Sequence, residues 1–138
     1  MIFADVYSTD SALITLYQLL QERKPEQNIS HEKMPTWEEH VAYIAKRPVP
    51  HWYLIEDGGP WIGSIYLSRR REIGIWIFSA EQRKGYGTAA VHKLMLLHPG
   101  EFYANVAPMN LDSHAFFNRM DFKITQATYK FRGPNGTT

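Results

Sequence analysis

The stretch Gln82-Arg83-Lys84-Gly85-Tyr86-Gly87-Thr88-Ala89-Ala90 concentrates residue types that can hold an anion. It lies between a run rich in β-branched and aromatic residues, Glu72 to Phe78, and a run with apolar residues at helical spacing, Ala90, Val91, Leu94 and Leu97. The first N–H groups of a helix have no intrahelical partner and carry the positive end of the macrodipole. Gly85 and Gly87 let an anion approach those groups with no Cβ in the way, and Arg83 and Lys84 add positive charge. A pyrophosphate site is the physical inference, with Gln82, Tyr86 and Thr88 completing the turn.

The elements that must position this turn follow from periodicity and punctuation. Residues 1–7 read as a first strand. Ser8-Thr9-Asp10-Ser11 offers N-cap oxygens to a helix carrying Leu13, Leu16, Tyr17 and Leu20. The polar segment from Arg23 to Pro35 reads as a loop. Thr36-Trp37-Glu38-Glu39 is a capping box opening a short helix to about Lys46, stopped by Pro48 and Pro50. His51 to Glu56, Trp61 to Ser68 and Glu72 to Phe78 suggest an antiparallel meander, with Gly74 marking a bulge or close approach. A helix after Gly85, a strand over Glu101 to Val106, a helix from Asn110 to about Met120 and a strand over Phe122 to Phe131 complete the order β-α-α-β-β-β-α-β-α-β. This is an α+β domain around one mixed, mostly antiparallel sheet flanked by helices. Residues 132–138 read as a polar tail.

The 138 residues allow one domain, and 44% hydrophobic content suffices for a packed core. The net charge of +1 gives no whole-chain case for nucleic acid. The absence of cysteine excludes disulfides, thiolate metal sites and a cysteine nucleophile. No His/Asp/Glu spacing suggests a metal. No apolar run reaches the roughly 18 residues a membrane span needs, and the N-terminus lacks the pattern of a signal peptide. A cytoplasmic protein that binds neither membrane nor nucleic acid is expected.

Gly85-x-Gly87-x-x-Ala90 formally matches the dinucleotide fingerprint. That fingerprint begins as its strand ends and opens a βαβ unit with an acidic residue about 20 positions on. Here six residues separate Phe78 from Gly85, and the strands upstream form a meander. Gln82, Gly85 and Gly87 also satisfy Q/R-x-x-G-x-G. With the strand Glu72-Ile73-Gly74-Ile75-Trp76-Ile77, the later set Asn110, Ser113 and Phe122, and the element order, the chain resembles the GNAT superfamily of acetyl-CoA-dependent N-acetyltransferases. The resemblance covers nearly the whole chain.

It implies that the backbone of Ile75, Trp76 and Ile77 meets the acetyl carbonyl and pantetheine arm, that the turn from Gln82 to Gly87 holds the pyrophosphate, and that Thr88 also belongs to the cofactor site. Asn110 would bond the arm, unless it is only a helix cap. Ser113 and Phe117 would lie beside the cofactor. Gly74 and its neighbours would carry a strand bulge that splays this strand from Glu101 to Val106 and opens a slot. The implied reaction is direct attack of a primary amine of a small molecule on acetyl-CoA, in a ternary complex and without a metal. The alternative is an acyl-CoA-binding sensor or partner protein without turnover. Dimerisation is plausible.

Two family positions differ here. A tyrosine acid often stands seven residues after the Asn, where this chain has Phe117. A glutamate base sometimes stands five before it, where this chain has Asn105. Glu72 is the remaining candidate base, although alternation could turn it away from the acceptor or an arginine of the 69–71 run could claim it. The acceptor pocket would draw on the first two helices and their loop, with Trp37 and His40 as candidate contacts and His31 in reach. Trp52, Trp61 and Trp76 read as core or half-buried strand residues.

Overall fold

A computed structural model describes residues 1–23 and 33–134. Strand β1 (Ile2–Asp5) is followed by a single 3₁₀ turn and helix α1 (Ala12–Gln21), then helix α2 (Trp37–Ala45). Strands β2 (His51–Glu56), β3 (Trp61–Leu67) and β4 (Ile73–Ile77) lead to helix α3 (Tyr86–Leu97) and helix α4 (Leu111–Arg119). The sheet is antiparallel in the order β1-β2-β3-β4.

The capping box at the start of α2 forms, whereas Ser11 at the start of α1 accepts no cap hydrogen bond. Thr36 Oγ1 accepts from the Glu39 N–H at 3.2 Å, and Glu39 Oε1 accepts from the Thr36 N–H at 2.9 Å. The His31 position lies outside the described residues. Alternation along β2, β3 and β4 sends side chains to two cores. Ile55, Ile65, Leu67 and Ile73 pack under Ala90, Val91 and Leu94 of α3. Leu54 packs under Leu16, Leu19 and Ile44 of α1 and α2, with Trp52, Trp61, Trp76 and Phe78 at its margin. The sheet thus separates an α3–α4 face from an α1–α2 face.

Three expectations give way. The segment from 101 to 106 makes one parallel bridge, Glu72 with Tyr103, instead of a strand. The Ile73 N–H donates to the Tyr103 carbonyl at 2.7 Å and the Tyr103 N–H to the Arg71 carbonyl at 2.9 Å, and then the two chains part. The segment 122–131 is not a strand either. Its composition suits one, yet Ile124, Tyr129 and Phe131 are 82%, 94% and 90% exposed, and no neighbouring strand supplies a ladder among the described residues. Strand propensity reports fitness for a pleated surface and does not create one. Finally, β3 and β4 pair without a register shift from Gly63↔Ile77 to Leu67↔Ile73, so Gly74 carries no bulge in that pairing. The glycine is needed because the Tyr66 ring lies across it. A Cβ there would come within 2.1 Å of two ring carbons.

The hairpin between β3 and β4 is pinned by Arg71. Its guanidinium donates to the His98 and Glu101 carbonyls, both at 2.6 Å, and lies 4.7 Å from the Phe102 ring centroid. This ties the start of β4 to the end of α3 and withdraws Arg71 from Glu72.

Candidate active site

The parting of β4 from the 101–106 segment leaves a strand edge without a ladder. The even-numbered residues of β4 bond to β3, since the Phe78 N–H donates to Ile62 and the Ser68 N–H to Glu72. By alternation the amides of Ile73, Ile75 and Ile77 face the other way. Ile73 spends its N–H on Tyr103, and the Ile77 carbonyl accepts from Gln82 Nε2 at 2.9 Å. The N–H and carbonyl of Ile75 and the N–H of Ile77 are left facing the slot. Trp76, whose main chain serves β3, contributes its side chain to the opposite face.

Below that edge a cleft of about 440 Å³ runs from β4 across the start of α3 to α4. The structure brings Ile75, Trp76, Ile77, Gln82, Arg83, Gly85, Tyr86, Gly87, Thr88, Asn110, Ser113 and Phe117 to its lining. Lys84 is absent from the lining. Its Nζ sits 3.1 Å from Glu81 Oε2 in an exposed pair that contributes little to stability.

The turn into α3 is built to present backbone. Arg83 and Gly85 adopt φ of +65° and +84°. Gly85 is the N-cap of α3, and no side chain caps the helix. Its first N–H groups therefore point into the cleft uncapped. The two glycines serve different ends. A Cβ at Gly85 would meet nothing within 4 Å, so the requirement there is the left-handed backbone and open space for an anion. A Cβ at Gly87 would sit 3.1 Å from Phe116 Cε1, so that glycine lets α3 approach α4.

Asn110 is buried and caps α4, with Oδ1 accepting from the Ser113 N–H at 3.2 Å. Capping uses its oxygen and leaves its amide N–H groups to the cleft. Phe117 packs edge-on against Phe116 and Phe122, with centroids 5.0 and 5.1 Å away. The sequence reading missed Glu81, Asp112, Phe116 and Arg119 in the lining. The spacing of Asp112, Phe116 and Arg119 marks one helix face and was available as a signal.

On the α1–α2 face, Glu72 precedes β4 and shares the side of Gly74 and Trp76, so alternation turns it toward Tyr66. Ser68 Oγ donates to its Oε1 at 3.2 Å, and Asn105 Nδ2 donates to its Oε2. Asn105 thus holds Glu72 in place, a link that spacing alone does not reveal.

The two candidate acceptor contacts fare differently. Trp37 is exposed at the start of α2 and packs edge-on to Tyr17, 5.3 Å between centroids. His40 is only 3% exposed, and its Nε2 donates to the Leu13 carbonyl at 2.8 Å. Burial holds its pKa below the usual histidine value and the Leu13 bond opposes this. His40 therefore joins α2 to α1 as a neutral core group, which corrects its expected role as an acceptor contact. No group of three or more His, Asp or Glu side chains that could hold a metal exists among the described residues, and no described helix is long and apolar enough to cross a membrane.

No curated protein sequence matches the chain significantly. Solved structures do resemble it. An aminoglycoside antibiotic 6'-N-acetyltransferase from Acinetobacter haemolyticus superimposes with a TM-score of 0.72 at 16% identity, over 95% of this chain and 97% of that one. An acetyltransferase from Thermus thermophilus gives 0.70 at 19% identity, over 88% and 86%. A Salmonella typhimurium protein solved with acetyl-CoA gives 0.64 at 16% identity, over 91% and 79%. At such identities the likeness establishes the fold. The family rests on the sequence: residues 13–122, from α1 through α4, match the acetyltransferase (GNAT) family, and the chain belongs to it.

Proposed function

We propose that the protein transfers the acetyl group of acetyl-CoA to a primary amine of a small molecule, by direct attack in a ternary complex. The observation that carries this reading is the slot itself. Unpaired amides of Ile75 and Ile77 line one side, and the uncapped start of α3 lies at its end.

Acetyl-CoA supplies the acetyl group as a thioester. The Ile75 N–H is placed to donate to the thioester carbonyl as negative charge develops there. The amides from Gly85 to Thr88, with the Arg83 guanidinium, are suited to the pyrophosphate, and the Asn110 amide N–H groups to the pantetheine arm. The acceptor amine forms its C–N bond from the α1–α2 side. Glu72, fixed by Ser68 and Asn105, takes the proton that the amine loses, directly or through one water. The C–S bond then breaks, and the thiolate needs a proton that Phe117 cannot give. Tyr86, which lines the same cleft, carries a hydroxyl that can serve.

Release of free thiol from acetyl-CoA in the presence of a panel of primary amines tests the reading. Amine-dependent release with a matching acetylated product supports it. Tight acetyl-CoA binding with no release for any amine would transfer the protein to the sensor class.

A further inference from the structure

The α1–α2 face of the sheet carries three buried donors without partners. Arg23 Nε, Trp52 Nε1 and Trp76 Nε1 have no hydrogen bond among the described residues. Orphaned buried donors are uncommon because each loses its water without replacement. These three share one face. Trp52 opposes Tyr66 across β2 and β3, Tyr66 opposes Gly74 across β3 and β4, and Trp76 follows two residues on. Arg23, just beyond α1, lays its guanidinium 5.2 Å from the Trp76 ring centroid. Trp52 meets Tyr66 edge-on at 6.0 Å.

Arg23 is a half-buried cation with no carboxylate partner among the described residues. Burial pulls its pKa below the usual guanidinium value, and the nearby phenols of Tyr66 and Tyr43 oppose that only in part. Stacking on Trp76 recovers some of the cost. A guanidinium held this way is an unfilled receptor for an anion, since its planar fork matches carboxylate and phosphate oxygens. Glu72, on the same face, has the opposite charge, and Tyr66 feels both.

We propose that Arg23 recognises an anionic group on the acceptor, which is a primary amine that also carries a carboxylate or a phosphate. This rests on the acetyltransferase reading above. The amine lies toward Glu72 and the anion on Arg23, whose guanidinium stands over the Trp76 ring. The aromatic walls suit an apolar body between the two charges. A polycationic amine would set its charge against Arg23 and bind poorly.

The test uses the full chain with CoA bound and follows tryptophan fluorescence on adding matched probes. L-phenylalanine is compared with 2-phenylethylamine, O-phosphoethanolamine with ethanolamine, and spermidine serves as the polycation. At least one anionic probe should bind about tenfold tighter than its uncharged parent, the worth of a hydrogen bond to a charged group. The pair that shows the gap identifies carboxylate or phosphate. R23M should abolish the gap and R23K should keep part of it. In turnover, R23M should raise KM about tenfold for the anionic amine with kcat changed less than about threefold. Removing an unpaired buried charge should leave the thermal midpoint equal or higher, and should R23M misfold, the wild-type probe pairs and R23K still decide. Equal binding within both pairs, preference for spermidine, or a gap that survives R23M overturns the proposal. The acetyltransferase reading fails separately, if acetyl-CoA is neither bound nor consumed while the fluorescence titrations still report on Arg23.

Discussion

The two sides of β4 are built from different materials. On the α3–α4 side the main chain supplies the outward amides of Ile75 and Ile77 and the uncapped start of α3, joined by the side chains of Arg83 and Asn110. On the α1–α2 side the polar groups belong to side chains: Glu72, Tyr66, Trp52, Trp76 and Arg23. A site made of backbone is indifferent to most side-chain changes and intolerant of a misplaced Cβ. A site made of side chains can be re-specified residue by residue. The arrangement fits a protein with one fixed co-substrate and an acceptor particular to this chain.

The sharpest way to break that contrast is Gly85→Val. Valine at φ +84° strains the backbone and puts a branched side chain into the open space before α3. Acetyl-CoA affinity should fall about hundredfold, the loss of one or two hydrogen bonds to a charged group. Calorimetry measures this, and unchanged affinity in a folded variant would remove the turn from the site.

On the other side, Glu72→Gln should leave acetyl-CoA affinity intact and lower turnover about hundredfold, the low end of the range for a positioned base. The rate should recover as pH rises and solvent deprotonates the amine. Asn105→Ala should cost less, because it loosens Glu72 without removing it. Equal rates for parent and Glu72→Gln at neutral pH would assign the base elsewhere.

These variants also show what was legible in advance. The α3–α4 side was readable because a backbone site announces itself through glycine and cap spacing: Gln82, Gly85, Gly87 and Asn110 all reach one cleft. The helices and the meander were readable from periodicity and from the capping box of Thr36 and Glu39. The α1–α2 side was not, because Arg23, Trp52, Tyr66 and Trp76 are scattered along the chain and meet only through strand register. His40 misled for a related reason, since its burial follows from α1 and α2 packing together. The segments 101–106 and 122–131 misled because residue type does not report whether a partner strand is present.

Gly74→Ala sharpens the comparison in stability instead of rate. The added methyl must displace the Tyr66 ring, and overpacking of this kind costs about 1–3 kcal/mol. Thermal denaturation should show the midpoint falling by several degrees, with KM for the amine rising as Tyr66 shifts. An unchanged midpoint would mean that Tyr66 has another place to go.

His40 predicts a pH effect on stability that originates where α1 packs on α2. Its pKa is lower folded than unfolded because burial disfavours the cation. The unfolded chain therefore binds the proton first. Stability is full above the unfolded value, near 6.5, and falls as pH drops below it toward the folded value. His98, lowered by burial and by His51 and Arg71, adds in the same direction. Urea denaturation at pH 7.5 and pH 5.5 should show the loss, and His40→Gln should shrink it. A loss of the same size in His40→Gln would place its source elsewhere.

The smallest effect belongs to Phe117→Tyr. The ring lines the cleft and packs edge-on between Phe116 and Phe122, so a hydroxyl at its para position adds one polar atom to a wall otherwise apolar there. If no side chain protonates the departing thiolate in the parent, that hydroxyl supplies a missing acid, and general acid catalysis is worth roughly 10²–10⁴-fold when proton transfer limits the rate. If Tyr86 already serves from the start of α3, the new hydroxyl duplicates it. We expect the second case, with turnover changed by less than about tenfold, or under 1.4 kcal/mol in barrier. Tyr86→Phe is the companion variant. It should lower turnover in the parent and much less in Phe117→Tyr, where a second donor stands by. Steady-state kinetics of the four proteins on one accepted amine form a double-mutant cycle. Additive effects would show that the two hydroxyls do not share a role, and a gain well above tenfold from Phe117→Tyr alone would show that Tyr86 is not the donor.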